Sequence, residues 1–171
     1  MRADATAERI RRLLEALGQR ARPGARAYLA SGASPVLYGW RDSTRDVDLT
    51  LEGDIDSVLR AIAELKEQLD INVKLAGPQD FLPPPPDWRE RSVPLGKFGE
   101  LSVFHTDFAL QALSKLQRGF DQDLQDVREM TARGLTSGEE IRATLAAIED
   151  ELYRTPTVDR DRLRAAVLTL G

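Results

Sequence analysis

The chain has 171 residues, 42 % of them hydrophobic, a net charge of −4 and no cysteine. That is enough apolar material to build a core, which excludes a disordered chain, and the missing thiols exclude a disulfide scaffold, a thiolate zinc site and a cysteine nucleophile. No apolar run approaches the roughly 20 residues of a membrane span, and Met1 to Glu8 is polar where a secretory signal would be apolar, so a cytoplasmic protein with no membrane partner is expected.

Ile10, Leu13, Leu14 and Leu17 recur at helical spacing and predict an amphipathic helix over 5–18, ending near Gly18. Arg9, Arg11, Arg12, Arg20, Arg22 and Arg26 crowd this first segment, either as a basic patch on an acidic protein or as a solvated face interleaved with Glu8 and Glu15. Ala27 to Ala30 reads as a short buried strand, Ser31 to Ser34 as a turn of small residues, and Pro35 to Trp40 as a helix with proline in its first turn. Asp46 to Glu52 alternates as a half-buried strand, and Ile55, Val58, Leu59, Ile62 and Leu65 mark a second amphipathic helix. Ile71 to Leu75 alternates again as a third strand. Phe81 to Trp88 contains four consecutive prolines and must be an extended loop, because missing amide donors serve neither a helix nor a central strand. Glu100 to His105 reads as a further strand. From Asp107 onward the pattern is helical, with stops at Gly119 and Gly134, a capping-box signature in Ser137 and Glu140, and a last helix after Asp159. The expected class is α+β: a small mixed sheet flanked by helices over residues 1–105, then a helical region over 106–171, the two forming one compact unit.

The chemistry concentrates in Tyr28 to Leu51. Residues two apart on a strand share a face, so Asp46 and Asp48 project together, opposite Val47 and Leu49. Two adjacent carboxylates repel unless a cation sits between them, and a hard divalent ion such as Mg²⁺, bound with substrate phosphates, is the usual one. The small turn Ser31-Gly32-Ala33-Ser34 lets backbone amides approach a phosphate. Arg41, Ser43, Thr44 and Arg45 lie beside the aspartates, where they would grip phosphate oxygens. His105, the single histidine, reads as a structural hydrogen-bonding residue at a strand end, and Trp40 as a packing residue. Lys115 and Arg118 share a helix face ahead of Asp121, Asp123 and Asp126, as an intrahelical charge network or as a phosphate-binding edge.

A glycine turn, a helix, Gly39-Trp40-Arg41, Thr44 and Asp46-x-Asp48, in that order, resemble the active-site motif of the nucleotidyltransferase superfamily, the DNA polymerase beta-like fold. The resemblance runs from about Tyr28 to Tyr153 and is closest to bacterial nucleotidyltransferase-like proteins, some with toxin–antitoxin relatives. It implies transfer of a nucleoside monophosphate from a nucleoside triphosphate to a hydroxyl, with Mg²⁺ or Mn²⁺ as cofactor. The acceptor would be a tRNA, a protein or a small molecule. It implies Asp46 and Asp48 as metal ligands and catalytic carboxylates, and Ser31, Gly32, Ser34, Arg41, Thr44, Lys74 and Lys115 as nucleotide-binding positions. The chain departs from the family pattern twice. Ser31 stands where a second glycine is usual, and Lys74 stands where the third strand commonly supplies a third carboxylate. Two alternatives stand beside the transfer reading, the first of them favoured by these departures. One is a catalytically impaired binding protein, with a cognate toxin or antitoxin as its partner. The other is an interaction domain whose aspartates pair with Arg41 and Arg45.

Overall fold

The computed structural model describes residues 1–171, which divide into two compact units. The first is Met1–Gly77 with Val93–His105; the second is Pro78–Ser92 with Thr106–Gly171. The first unit is thus discontinuous, because the proline-rich segment 78–92 groups with the C-terminal helices and not with the sheet.

The first unit opens with strand β1 (Ala5–Thr6) and helix α1 (Ala7–Arg20). Thr6 caps α1, its hydroxyl accepting from the Arg9 amide. Strand β2 (Arg26–Ala30) and helix α2 (Ala33–Tyr38) follow, then β3 (Ser43–Thr44), β4 (Val47–Glu52), helix α3 (Asp56–Gln68) and β5 (Val73–Leu75). After the excursion through 78–92 the chain returns with the hairpin β6 (Val93–Phe98) and β7 (Leu101–His105). Five strands form one mixed sheet in the order β5-β4-β2-β7-β6; β1 and β3 make a separate two-stranded ribbon. Strand β2 runs antiparallel to β4 and parallel to β7, while β4 runs parallel to β5.

One face of this sheet is core. Leu29 of β2, Val47 and Leu49 of β4 and Val103 of β7 pack with Leu13 and Leu17 of α1 and with Ile62 and Leu65 of α3. Each such side chain removed from water contributes roughly 1.5–3 kcal/mol. The alternation that buries Val47 and Leu49 leaves Asp46 and Asp48 on the other face, both half-buried.

Three local readings need correction. Helix α1 runs through Gly18 to Arg20. Glycine sits there because the Phe98 backbone passes against it, and a Cβ would lie 3.0 Å from the Phe98 Cβ and closer still to its carbonyl. Helix α2 begins at Ala33, two residues before the expected proline. Strand β6 went unread because Pro94 and Gly96 interrupt its pattern. It survives as an edge strand with a register shift between those two residues, which is where proline is tolerated.

The second unit centres on α4 (Phe108–Arg118), buried continuously from Phe108 to Leu116. Helices α5 (Asp121–Ala132), α6 (Gly138–Ile148) and α7 (Arg160–Leu168) pack against it. The expected caps are present: Gly119 ends α4 with φ 74°, and Ser137 accepts from the Glu140 amide at 3.1 Å. Segment 78–92 is fastened to the start of α4. Arg91 pairs with Asp107, and Ser92 Oγ accepts from the Asp107 amide at 3.1 Å while donating to the Trp88 carbonyl at 2.8 Å.

Candidate active site

The turn, the loop and the Asp-x-Asp strand predicted from sequence meet in the first unit. Register pairing sets Ala30 of β2 opposite Asp48 of β4, so the turn that follows Ala30 begins beside the aspartates. Ser31 in that turn has φ 54°, a left-handed conformation that glycine adopts freely and serine does not. This is the physical content of the first departure: the backbone keeps a glycine-like conformation under a serine side chain.

Gly32 is required by close approach. A Cβ there would lie 2.7 Å from Thr44 Cβ and 3.1 Å from an Arg41 guanidinium nitrogen. Gly32, Arg41 and Thr44, separated in sequence, therefore touch. The Thr44 hydroxyl donates to the Asp46 carbonyl at 3.1 Å and fixes the entry to β4. Helix α2 is only six residues long, too short for much of a macrodipole.

Ser34 is fully buried, and its hydroxyl lies 2.8 Å from His105 Nδ1. The Tyr38 ring lies against the imidazole with centroids 4.9 Å apart. Burial, reinforced by the charge of Arg11, lowers the His105 pKa to about 4. The imidazole is thus neutral at physiological pH and ties β7 to α2, the structural role read from the sequence.

The third strand carries the second departure. Lys74 pairs in register with Asp48, and its Nζ stands 3.0 Å from Asp46 Oδ2. The Asn72 side-chain amide donates to the other Asp46 oxygen. Both oxygens of Asp46 are thereby engaged by groups from the chain segment that opens β5. The hydrogen bond to Asp46, then the charge of that carboxylate, hold the Lys74 ammonium above its ordinary pKa. No cluster of three or more His, Cys, Asp or Glu side chains is placed to hold a metal ion. The acid that the family pattern leads one to expect on this strand is replaced by a base.

Lys115 lies in the second unit. It is buried, and its Nζ contacts Asp126 Oδ2 at 2.8 Å, with Asp126 itself fully buried. Arg118 pairs with Asp123 at 3.2 Å. The charge network expected within a helix instead runs between two, joining α4 to α5.

Sequence reasoning missed the ribbon of β1 and β3. It pairs Ala5 with Thr44 and Thr6 with Ser43, and so draws the N-terminal residues alongside Arg45 and Asp46. Two-residue strands leave no periodic signal to find.

A mixed sheet with a tight glycine turn after one strand and paired aspartates on its antiparallel neighbour defines a nucleotidyltransferase-type core. A family model described as nucleotidyltransferase of unknown function (DUF6036) matches residues 24–165, and the chain belongs to that family. Neither a curated protein nor a solved structure gives a match.

Proposed function

We propose that this protein moves a nucleoside monophosphate from a nucleoside triphosphate to a hydroxyl acceptor, using the Asp46–Asp48 face of β4. The observation that carries the reading is the convergence of Gly32, Arg41 and Thr44 beside that strand, because one loop then offers small-residue backbone and a guanidinium next to two carboxylates. Guanidinium groups grip phosphate oxygens, and backbone close to glycine approaches them without obstruction.

The donor set fits one hard divalent ion. Mg²⁺ is commonly bound through one or two carboxylates, with phosphates and water completing its shell. Asp46 and Asp48 would hold Mg²⁺ or Mn²⁺ together with the triphosphate. Bound there, the ion would neutralise phosphate charge and polarise the phosphorus–oxygen bond that breaks. Lys74, whose side chain is 58 % exposed, has solvent into which to move as the ion and phosphates take its place on Asp46.

A second reading is favoured by Lys74 itself. With lysine on β5 there is no third carboxylate on that strand to take the acceptor's proton, and an ammonium already neutralises Asp46. The protein would then bind a nucleotide without transferring it, and would act through a partner such as a toxin or antitoxin protein.

Incubation with α-labelled nucleoside triphosphates and Mg²⁺ or Mn²⁺, in the presence of RNA and of protein acceptors, separates the two readings. Label that enters either acceptor and is lost in the Asp46→Asn/Asp48→Asn variant establishes transfer. Triphosphate binding with no label in any acceptor establishes the second reading.

A further inference from the structure

A cleft with two arginines adjoins the aspartates. Met1, Arg2, Arg45 and Asn72 line a cleft of about 220 Å³ within the first unit. It exists because β1 runs antiparallel to β3. With Ala5 opposite Thr44, the residues before β1 pass those that follow β3, and Arg2 is brought into the neighbourhood of Arg45. Arg2 is anchored there: its Nε donates to the Lys66 carbonyl at 3.2 Å, and its guanidinium pairs with Glu67. Arg45 is exposed and enters no ion pair. Arg9, by contrast, is held by the carbonyls of Asp4, Leu69 and Asp70, and Arg12 by Glu8. Arg45 is therefore available to an incoming anion.

The cleft is coupled to the reacting face by one side chain. Asn72 lines it and donates to the Asp46 carboxylate. Its position in the sheet is equally informative. Strand β4 lies between β2 and β5, Gly32 follows β2, and Asn72 precedes β5. The Gly32 turn and the arginine cleft thus flank Asp46 on opposite sides. A triphosphate on the turn leaves the cleft open on the side from which an acceptor would reach the aspartates.

We propose that this cleft binds a phosphate group of the acceptor, so that the hydroxyl acceptor is a phosphate-bearing one, a nucleotide or the end of a single-stranded nucleic acid. Arg45 makes the phosphate contact, with Arg2 as the second cation, and Asn72 positions Asp46 against it. Guanidinium groups suit this task because their fork of donors matches phosphate oxygens in pairs. The proposal rests on the transfer reading for the word acceptor; the anion site itself does not.

The test uses a fluorescein-labelled hexanucleotide RNA, with anisotropy measured against salt, for the native chain, Arg45→Glu and Arg2→Gln. A fluorescent nucleoside triphosphate is titrated in parallel, and circular dichroism confirms that each variant is folded. Arg45→Glu is expected to weaken hexanucleotide binding at least tenfold. The slope of log affinity against log salt should become shallower by about 0.7, the value for one lost contact to a single strand. Triphosphate binding should fall by a clearly smaller factor than hexanucleotide binding. Arg2→Gln, which keeps the stem, should give a smaller loss in the same direction. Equal hexanucleotide binding by native and Arg45→Glu chains overturns the proposal. Parallel loss of triphosphate binding also overturns it, because the cleft would then belong to the triphosphate. A folded native chain that does not bind the hexanucleotide at low salt overturns it as well. Arg45-dependent RNA binding in a protein that transfers no label leaves the site standing and removes the transfer reading alone.

Discussion

Lys74 stands opposite Asp48 in the β4–β5 register, and its ammonium lies 3.0 Å from Asp46 on the same face. A parallel strand pair thereby places a positive charge beside two carboxylates that would otherwise repel.

That relationship sets the first prediction. Lys74 and a divalent ion compete for Asp46, so Lys74→Met should raise Mn²⁺ affinity and Lys74→Glu should raise it further, by about tenfold or roughly 1.4 kcal/mol. Free Mn²⁺ measured by electron paramagnetic resonance reads this directly, without any turnover. An affinity that does not change from native to Lys74→Glu would mean that the ion does not use Asp46.

The turn supplies a second test. Ser31 has φ 54°, so Ser31→Gly should relieve backbone strain and raise thermal stability by about 1 kcal/mol. Gly32→Ala should do the opposite, because its Cβ has Thr44 and Arg41 in the way; a loss of about 1–3 kcal/mol is expected. Calorimetric melting of the two single variants distinguishes the positions. Equal stability of Gly32→Ala and the native chain would remove close approach as the reason for glycine.

His105 predicts an acid limb. Its pKa in the folded chain is about 4, against 6.5 for an unperturbed histidine. The unfolded chain therefore takes up a proton that the folded chain refuses. Stability from this residue is fully present above pH 6.5 and is lost as pH falls from about 6.5 to about 4. The loss amounts to about 3 kcal/mol at 1.36 kcal/mol per pKa unit. Urea melts at pH 7, 5.5 and 4.5 should show the native chain weakening. His105→Gln, less stable at pH 7, should show a shallower slope across that window. Parallel slopes would assign the acid limb to carboxylates.

Lys115 and Asp126 form a buried pair across α4 and α5. Breaking it from one side leaves a charge in the interior, so Lys115→Met should cost about 3–5 kcal/mol. The double variant Lys115→Met/Asp126→Leu should recover most of that loss, since an apolar pair of similar volume carries no desolvation penalty. Triphosphate affinity of the double variant should equal that of the native chain. A lower affinity would return Lys115 to the nucleotide.

Much of this protein is local and was therefore readable from its sequence. The period-two alternation of Asp46 to Glu52 places both aspartates on one strand face because side chains two apart cannot do otherwise. The stops at Gly119 and Gly134 and the cap at Ser137 follow from backbone rules that operate over three or four residues. The order of the glycine turn, Arg41, Thr44 and the aspartate pair carried the family resemblance, and it needs no knowledge of distance.

What the sequence alone could not settle depends on partners far apart in the chain. Gly18 reads as a helix stop until the Phe98 backbone is seen against it. Pro94 and Gly96 read as interruptions until their strand is found at the sheet edge, where few ladder bonds are lost. Lys74 reads as a missing acid, and only the β4–β5 register turns it into the counter-ion of Asp46. Arg2 and Arg45 are unrelated residues until a two-residue ribbon draws them together. Local hydrogen bonding and side-chain periodicity determined the elements and the carboxylate pair; strand register and close packing, which act between residues tens of positions apart, decided which charges face each other.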